Sequence, residues 1–139
     1  MSKKSKGIGA ERELLHKFWA NGFVAMRAPA SGAIKYPCPD LIVGNQLRKL
    51  VIECKTTSAK KQYISNEQIS NLRQFSEIFA AEAWIAVKFA KDGWFFINLE
   101  DLKQTEGNNY VISVENARNR GLSFEEIIKT ADYSISKTQ

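Results

Sequence analysis

The chain has 139 residues, of which 44% are hydrophobic and 25% are charged, and its formal net charge at pH 7 is +5. These values are typical of one globular domain and exclude a disordered chain, a collagen-like repeat and a large multi-domain assembly. Two cysteines, Cys38 and Cys54, and one histidine, His16, argue against a disulfide framework, a zinc cluster and a Ser-His-Asp triad.

The N-terminal segment combines a basic start with a helix and a strand. Residues 1–6 include three lysines and are expected to form a flexible basic arm. Apolar residues then recur at helical spacing, which predicts a helix over 8–20, and a strand is predicted over 23–27. No apolar run follows the basic start, and no stretch approaches the roughly 18 apolar residues of a membrane span. The chain is therefore expected to be cytoplasmic and to have no membrane partner.

A long loop followed by a hairpin is predicted next. Three prolines and a Ser-Gly pair fall within residues 28–39, which excludes regular structure there. A loop of that length in so small a domain is usually functional or disordered. An apolar strand is predicted over 41–43 and a second strand over 49–56. The short turn at 44–46 should join them as a hairpin.

A helix and a second hairpin follow. Ser65 and Gln68 have the spacing of a capping box, so a helix is predicted from there to about Ala81. Strands are predicted over 83–89 and 94–99, because the Lys-Asp-Gly sequence between them is a strong turn signal.

The C-terminal part should hold one more helix. Ser123 and Glu126 repeat the capping box and begin it, and residues 133–139 are expected to fray. The predicted order is αβββαββα. This pattern indicates one mixed α/β domain over 1–139, with a central sheet flanked by helices.

The strand over 49–56 carries the strongest functional signal. Side chains alternate along a strand, so Cys54 would face a core while Glu53 and Lys55 lie together on the opposite face. Asp40 begins the neighbouring strand and can approach Glu53 across the hairpin. Two converging carboxylates need a compensating positive charge, and Mg²⁺ prefers carboxylate oxygens. These residues suit metal-assisted hydrolysis of a phosphodiester, with Lys55 helping to activate water or to offset charge on the phosphate.

Plainer interpretations of these charges stay open. An Asp followed by Glu-x-Lys also arises by chance, and exposed strand charges are ordinarily solvated or paired. Glu11 lies on the apolar stripe of the first helix, where a carboxylate needs a metal, a cation or an exposed rim. It could equally be a first-turn acid that the helix dipole favours. Arg12 beside it is either a phosphate ligand or an exposed charge.

Four blocks of sequence resemble one family of nucleases. The blocks are GAERELL at 9–15, RAPASG at 27–32, PDLIVGN at 39–45 and IECK at 52–55. In this order they are similar to the archaeal Holliday junction resolvases of the Hjc type, which belong to the PD-(D/E)xK nuclease superfamily. The resemblance continues in weaker form to about residue 100. It implies a restriction-endonuclease-like nuclease core.

The resemblance also implies roles for individual residues. It implies an acidic metal site of Glu11, Asp40 and Glu53, in which Mg²⁺, or Mn²⁺ in its place, also faces the backbone carbonyl of Cys54. It makes Lys55 the catalytic lysine. A loop serine near the scissile phosphate and two basic residues tied to DNA and activity are also implied: Ser31, Arg12 and Arg27.

Further basic residues would supply a DNA footprint. Lys35 lies on the long loop, and Lys60 and Lys61 follow the proposed catalytic strand. Phosphate contacts from such residues give affinity without sequence information. Each lysine alone could equally be a solvated charge.

The resemblance implies a symmetric homodimer, because a four-way junction needs two coordinated nicks and one chain carries one site. The candidate interface or core aromatics are Phe75, Phe79, Phe89 and Trp94. Aromatics at such spacings are usually core, but the resemblance places Phe75 and Phe79 at the dimer interface.

The expected function is that of a Mg²⁺-dependent endonuclease that resolves Holliday junctions in DNA recombination and repair. Recombination accessory proteins are implied as further partners. Two alternatives stay open: a nuclease of the same fold that acts on other DNA, of restriction or repair type, and a non-catalytic DNA-binding module.

Overall fold

A mixed sheet of five strands with helices on both faces forms the centre of residues 3–29 and 35–129, which are those that this computed structural model describes. The strands in chain order are β1 (Val24–Arg27), β2 (Leu41–Gly44), β3 (Lys49–Thr57), β4 (Lys61–Ile64), β5 (Glu82–Phe89), β6 (Gly93–Asn98), β7 (Lys103–Gln104) and β8 (Tyr110–Ser113). The helices are α1 (Lys3–Ala20), α2 (Asn66–Phe79), α3 (Val114–Arg120) and α4 (Phe124–Lys129). The predicted mixed α/β class is confirmed.

Helix α1 packs one apolar stripe on the sheet. Ala10, Leu14 and Phe18 recur at four-residue spacing and are buried. The helix already begins at Lys3, so the predicted start at residue 8 is wrong, and the helix includes the last four residues of the predicted basic arm over 1–6. Lysine is a good helix former, and extending a helix costs much less free energy than starting one. The helix ends before Gly22, whose φ of 87° few other residues tolerate.

The central sheet has the strand order β1-β2-β3-β5-β6. The predicted hairpin is confirmed, since β2 and β3 pair antiparallel with Leu41 opposite Ile52. Strand β3 pairs parallel with β5, and the crossover between them contains α2. Strands β5 and β6 form the second predicted hairpin, and Leu99 begins a short 3₁₀ turn instead of ending the strand.

Each face of the sheet has its own apolar core. On one face, α1 and α4 pack against residues such as Leu50 and Ile52. On the other face, α2 packs against Val51 and Ile85. Alternation along β3 therefore sends consecutive side chains into different cores.

Both predicted capping boxes are confirmed. Ser65 Oγ accepts a hydrogen bond from the Gln68 amide at 3.1 Å, and Gln68 Oε1 accepts one from the Ser65 amide at 3.3 Å. Ser123 and Glu126 make the same reciprocal pair at the start of α4. These contacts satisfy backbone N–H groups that have no partner inside the helix.

A small second sheet and helix α3 are additions to the predicted order. The second sheet has the strand order β4-β8-β7, and α3 follows it directly. The predicted tail over 133–139 lies outside the described residues. None of the described helices combines the length and the apolar character that a membrane crossing requires.

Candidate active site

Asp40 and Glu53 meet at the open end of the β2–β3 hairpin. Leu41 pairs with Ile52, so one more step in the same register places Asp40 opposite Glu53. Residues directly opposite in an antiparallel pair share a face and lie close together. The Ala28 amide donates to the Asp40 carbonyl at 2.9 Å, which extends the pairing with β1 to the same position.

The Asp40 carboxylate takes the place of a missing strand partner. Strand β3 runs past the start of β2, and the Cys54 amide donates to Asp40 Oδ2 at 2.8 Å. The amide and carbonyl of one strand residue point to the same side, so the Cys54 carbonyl is directed toward this opening as well. The predicted metal contact of that carbonyl stays a prediction, and this backbone geometry favours it.

The two acids are protonated more readily than isolated carboxyls. Burial, and after it the charge of Asp40, raises the pKa of Glu53 from 4.5 to about 8, although Lys55 acts in the opposite direction. Burial also raises the pKa of Asp40, and the Cys54 amide and the charge of Lys55 offset this only in part. Lys55 therefore lies close enough to stabilise negative charge at both carboxyls.

Glu11 reaches the same region from α1 but is held by an arginine. Arg27 Nε donates to Glu11 Oε1 at 3.2 Å, and both side chains are largely buried. Burial and the charge of Asp40 raise the pKa of Glu11, against the lowering effect of Arg27. The sequence interpretation made Glu11 a metal ligand and Arg27 a DNA contact, and it did not anticipate that they pair with each other.

A divalent cation fits the Asp40–Glu53 pair on chemical grounds. Two partly buried carboxylates repel each other, and hard oxygen ligands are those that Mg²⁺ takes. In the part of the chain that the structure describes, no group of three or more His, Cys, Asp or Glu side chains is arranged to hold a metal ion together. Arg27 Nε already donates to one oxygen of Glu11, and the role of Glu11 as a third ligand stays a prediction.

The Cys54 side chain lies on the core side of β3, as the alternation predicts. It packs against the core beneath α1. Burial raises the pKa of its thiol well above the usual value, so the thiol is neutral and is not a metal-binding thiolate.

The predicted DNA-contacting residues differ in their surroundings. Arg12, Lys35, Lys60 and Lys61 are exposed. Arg12 is the immediate neighbour of Glu11 on α1, and Lys60 and Lys61 lie just beyond the end of the strand that carries Glu53 and Lys55. Ser31 lies outside the described residues.

The candidate interface aromatics separate into two groups. Phe89 and Trp94 are buried and belong to the core. Phe75 packs partly into the core beneath α2, whereas Phe79 is 39% exposed and its ring meets that of Phe75 edge to face at 5.8 Å. Phe79 is therefore the better placed of the two for a contact outside this chain.

Phe79 also borders an apolar groove of about 640 Å³ on the outer face of β1 and β2. Trp19, Val24, Met26 and Ile42 contribute to its lining. Val24 and Met26 are 55% and 66% exposed, although they lie on a strand of the central sheet. The groove exists because α2 covers β3 and β5 but leaves the edge strand β1 and its neighbour β2 uncovered.

Sequence interpretation gave no role to Glu13, which lies two residues after Glu11 on α1 and makes specific contacts of its own. It accepts hydrogen bonds from Lys88 Nζ at 2.6 Å and from Trp94 Nε1 at 3.1 Å. Burial raises the pKa of Glu13, but these hydrogen bonds and the nearby positive charges outweigh burial and lower the pKa overall. The available signal was that Glu11 and Glu13 border the apolar stripe of α1 on opposite sides.

Comparison with protein families and curated proteins gives one consistent result. A family model described as archaeal Holliday junction resolvase (Hjc) matches residues 2–136. The chain is 36% identical over 129 residues to the crossover junction endodeoxyribonuclease Hjc of Archaeoglobus fulgidus, which covers 88% of this chain and 95% of that protein. It is 39% identical over 126 residues to the protein of the same name from Methanocaldococcus jannaschii, with coverage of 91% and 89%.

A solved structure supports the same conclusion about the fold. The solved structure of Archaeoglobus fulgidus Hjc, described as a Holliday junction resolvase from an archaeal hyperthermophile, superimposes with a TM-score of 0.80. The match has 34% sequence identity and covers 87% of this chain and 97% of that chain.

Proposed function

The chain belongs to the archaeal Holliday junction resolvase family, and from that membership we propose that it is a Mg²⁺-dependent endonuclease that resolves four-way DNA junctions by paired, symmetric nicks. The observation that carries the chemistry is the partly buried Asp40–Glu53 pair with Lys55 beside it on β3. Acids in this setting release their protons reluctantly unless a cation replaces them.

Each residue of the site has a distinct task in this proposal. Asp40 and Glu53 would hold the cation, and Glu11 would be a third ligand. When bound, the cation supplies Lewis acidity toward the phosphate and a water of lowered pKa. The Cys54 amide keeps the Asp40 carboxylate in a fixed orientation. The Lys55 ammonium offsets the negative charge that develops on the phosphate during hydrolysis.

The basic residues would bind the DNA backbone. Arg12 would contact a phosphate beside the cut, and Lys35, Lys60 and Lys61 would hold the flanking duplex. Ser31 stays a predicted contact near the scissile phosphate. Such contacts carry no sequence information, so selectivity would come from the shape and flexibility of the branch.

Removing one acid at a time tests the proposed metal site. Asp40→Asn and Glu53→Gln should each lower junction cleavage roughly 100-fold or more, since several kcal/mol of metal-based stabilisation are lost. Junction binding should stay near the wild-type affinity, because the phosphate contacts are intact. Glu100→Gln is the matched control, since Glu100 is an exposed acid that pairs with Arg73 away from the site. Wild-type cleavage by either site variant would refute the assignment.

The substrate is tested by comparing three DNAs under the same conditions. A four-way junction, a flap and a linear duplex are incubated with Mg²⁺, with Mn²⁺ and with a chelator. Preference for the junction supports a resolvase. Equal rates on all three would favour a nuclease of the same fold with another substrate, and the absence of any cleavage would favour a non-catalytic DNA-binding module.

The homodimer is the second part of the proposal. The groove on β1 and β2 is apolar, lies over the part of the sheet that α2 leaves uncovered, and is bordered by Phe79. Lys49 Nζ donates to the Phe79 carbonyl at 2.7 Å and lies 4.5 Å from the Phe79 ring centroid, so this border is held in place. We propose that a second copy of the chain covers the groove and so supplies the second nick.

A further inference from the structure

Glu13 stands outside the proposed set of metal-binding acids, yet it ties α1 to the far side of the sheet. Its two carboxylate oxygens accept hydrogen bonds from Lys88 on β5 and Trp94 on β6. Lys88 and Trp94 are cross-strand partners, so both side chains lie on the face that carries α1. Trp94 is buried in the core on that face, so packing holds its indole N–H in position.

The contacts of Glu11 and Glu13 lie on opposite sides of the helix. Successive residues are about 100° apart around a helix, so the two acids border the stripe that contains Leu14 on different sides. Glu11 pairs with Arg27 on the edge strand β1, whereas Glu13 reaches β5 and β6 at the other side of the sheet. A rotation of α1 about its own axis would stretch at least one of these contacts.

We propose that Glu13 is a positioning residue whose contacts with Lys88 and Trp94 set the rotation of α1 and thereby direct Glu11 toward Asp40 and Glu53. The inference rests on the proposed function, because it concerns how one acid of that site is presented. A side-chain tip lies about 5–6 Å from a helix axis, so a rotation of about 10° moves it about 1 Å. A misplacement of that size can lower a reaction rate about 100-fold.

The contacts of Glu13 are independent of the pair that Glu11 forms with Arg27. Arg27 Nε donates to one oxygen of Glu11, and a cation that displaced it would remove this tie between the helix and β1. The tie to β5 and β6 uses other residues, so it does not depend on that displacement. The Lys88 and Glu13 side chains are 36% and 40% exposed, so the ion pair should add little to stability. Positioning and folding can therefore be measured separately.

The test measures Mn²⁺ binding in the absence of DNA, with the concentration of free Mn²⁺ quantified by electron paramagnetic resonance. Glu13→Ala should weaken Mn²⁺ binding about tenfold, and Glu13→Gln, which keeps an acceptor for Trp94, should weaken it less. Glu100→Ala, which removes an exposed ion pair away from α1, should leave it unchanged. Thermal unfolding is recorded for each variant. Trp94→Phe, which removes the indole donor, is the second variant if Glu13→Ala does not fold.

A double-mutant cycle separates a role through Glu11 from a general effect. If Glu13 acts through Glu11, adding Glu13→Ala to Glu11→Gln should cause no further loss of Mn²⁺ affinity. Independent losses that multiply would overturn the proposal. Wild-type affinity in Glu13→Ala beside weakened binding in Glu11→Gln would also overturn it while leaving the proposed function intact. Wild-type affinity in Glu11→Gln would instead refute the metal role of Glu11 itself.

Discussion

Glu53 couples the proposed cation site to the stability of the fold. Burial, followed by the charge of Asp40, raises its pKa from 4.5 to about 8. Between these two values the folded chain keeps a proton that the unfolded chain has already released. The free energy of unfolding therefore decreases as the pH rises through this window, because the native state binds the extra proton.

This coupling predicts a pH dependence that a cation should cancel. In a chelator, the melting temperature of the wild type should fall from about pH 5 to about pH 8, and Glu53→Gln should flatten the profile. Mg²⁺ should raise the melting temperature more at the higher pH, since the ion and the proton compete for the same oxygens. Calorimetric melts with and without Mg²⁺ check both effects. An equally steep profile in Glu53→Gln would contradict the assignment of the proton to that residue.

At the scale of elements, local signals in the sequence identify those parts of the fold that local interactions determine. The capping boxes of α2 and α4 and the turns of the two hairpins involve residues within a few positions of each other, and all were predicted. Strand β4 (Lys61–Ile64) and helix α3 (Val114–Arg120) have no clear apolar periodicity. They form because β8 pairs with β4 and because Ala117 is buried beneath the sheet, which are contacts that no local window contains.

The same division applies to the candidate site. The proximity of Asp40 and Glu53 could be predicted, because a short hairpin brings them together. The pairing of Glu11 with Arg27 and that of Glu13 with Lys88 could not, since they depend on how α1 lies across the sheet. Periodicity places both acids at the edges of the buried stripe. Which basic side chain each acid pairs with depends on how the helix packs on the sheet.

Arg48 joins three elements that are distant in the chain, and its loss should destabilise the fold. It lies in the β2–β3 turn, is buried, and makes two hydrogen bonds of 2.8 Å to Glu82 at the start of β5. Its Nη1 also donates to the Ile127 carbonyl of α4 at 2.6 Å. Arg48→Met keeps the apolar stem but leaves Glu82 and that carbonyl without these donors. The expected loss is roughly 3 kcal/mol of the free energy of unfolding.

Urea denaturation measures this loss against a matched ion pair. Arg73→Met removes the exposed partner of Glu100 and should cost less than about 1 kcal/mol. A loss in Arg48→Met no larger than in Arg73→Met would mean that the buried contacts of Arg48 do not hold α4 against the sheet.

At the scale of the whole molecule, the active-site charges and the apolar groove lie on different parts of the central sheet. The acids lie where β3 extends past the start of β2, and the groove covers the outer face of β1 and β2. Strand β1 takes part in both, since Arg27 pairs with Glu11 on one face while Met26 points into the groove on the other. A partner seated in the groove would therefore lie close to the site without occupying it.

A charge placed in the groove should separate the dimer from the chemistry. The wild type should sediment at twice the 15.7 kDa mass of the chain, and Met26→Glu should sediment as a monomer, because a buried carboxylate without a partner costs several kcal/mol. Tyr63→Glu is the control, since Tyr63 is similarly exposed but lies on the small second sheet.

On a plasmid with an extruded cruciform, the wild type should produce linear DNA from paired nicks, whereas Met26→Glu should produce mainly nicked circles. Linear product from a monomeric Met26→Glu would show that paired cleavage does not need this interface, and a monomeric wild type would refute the dimer.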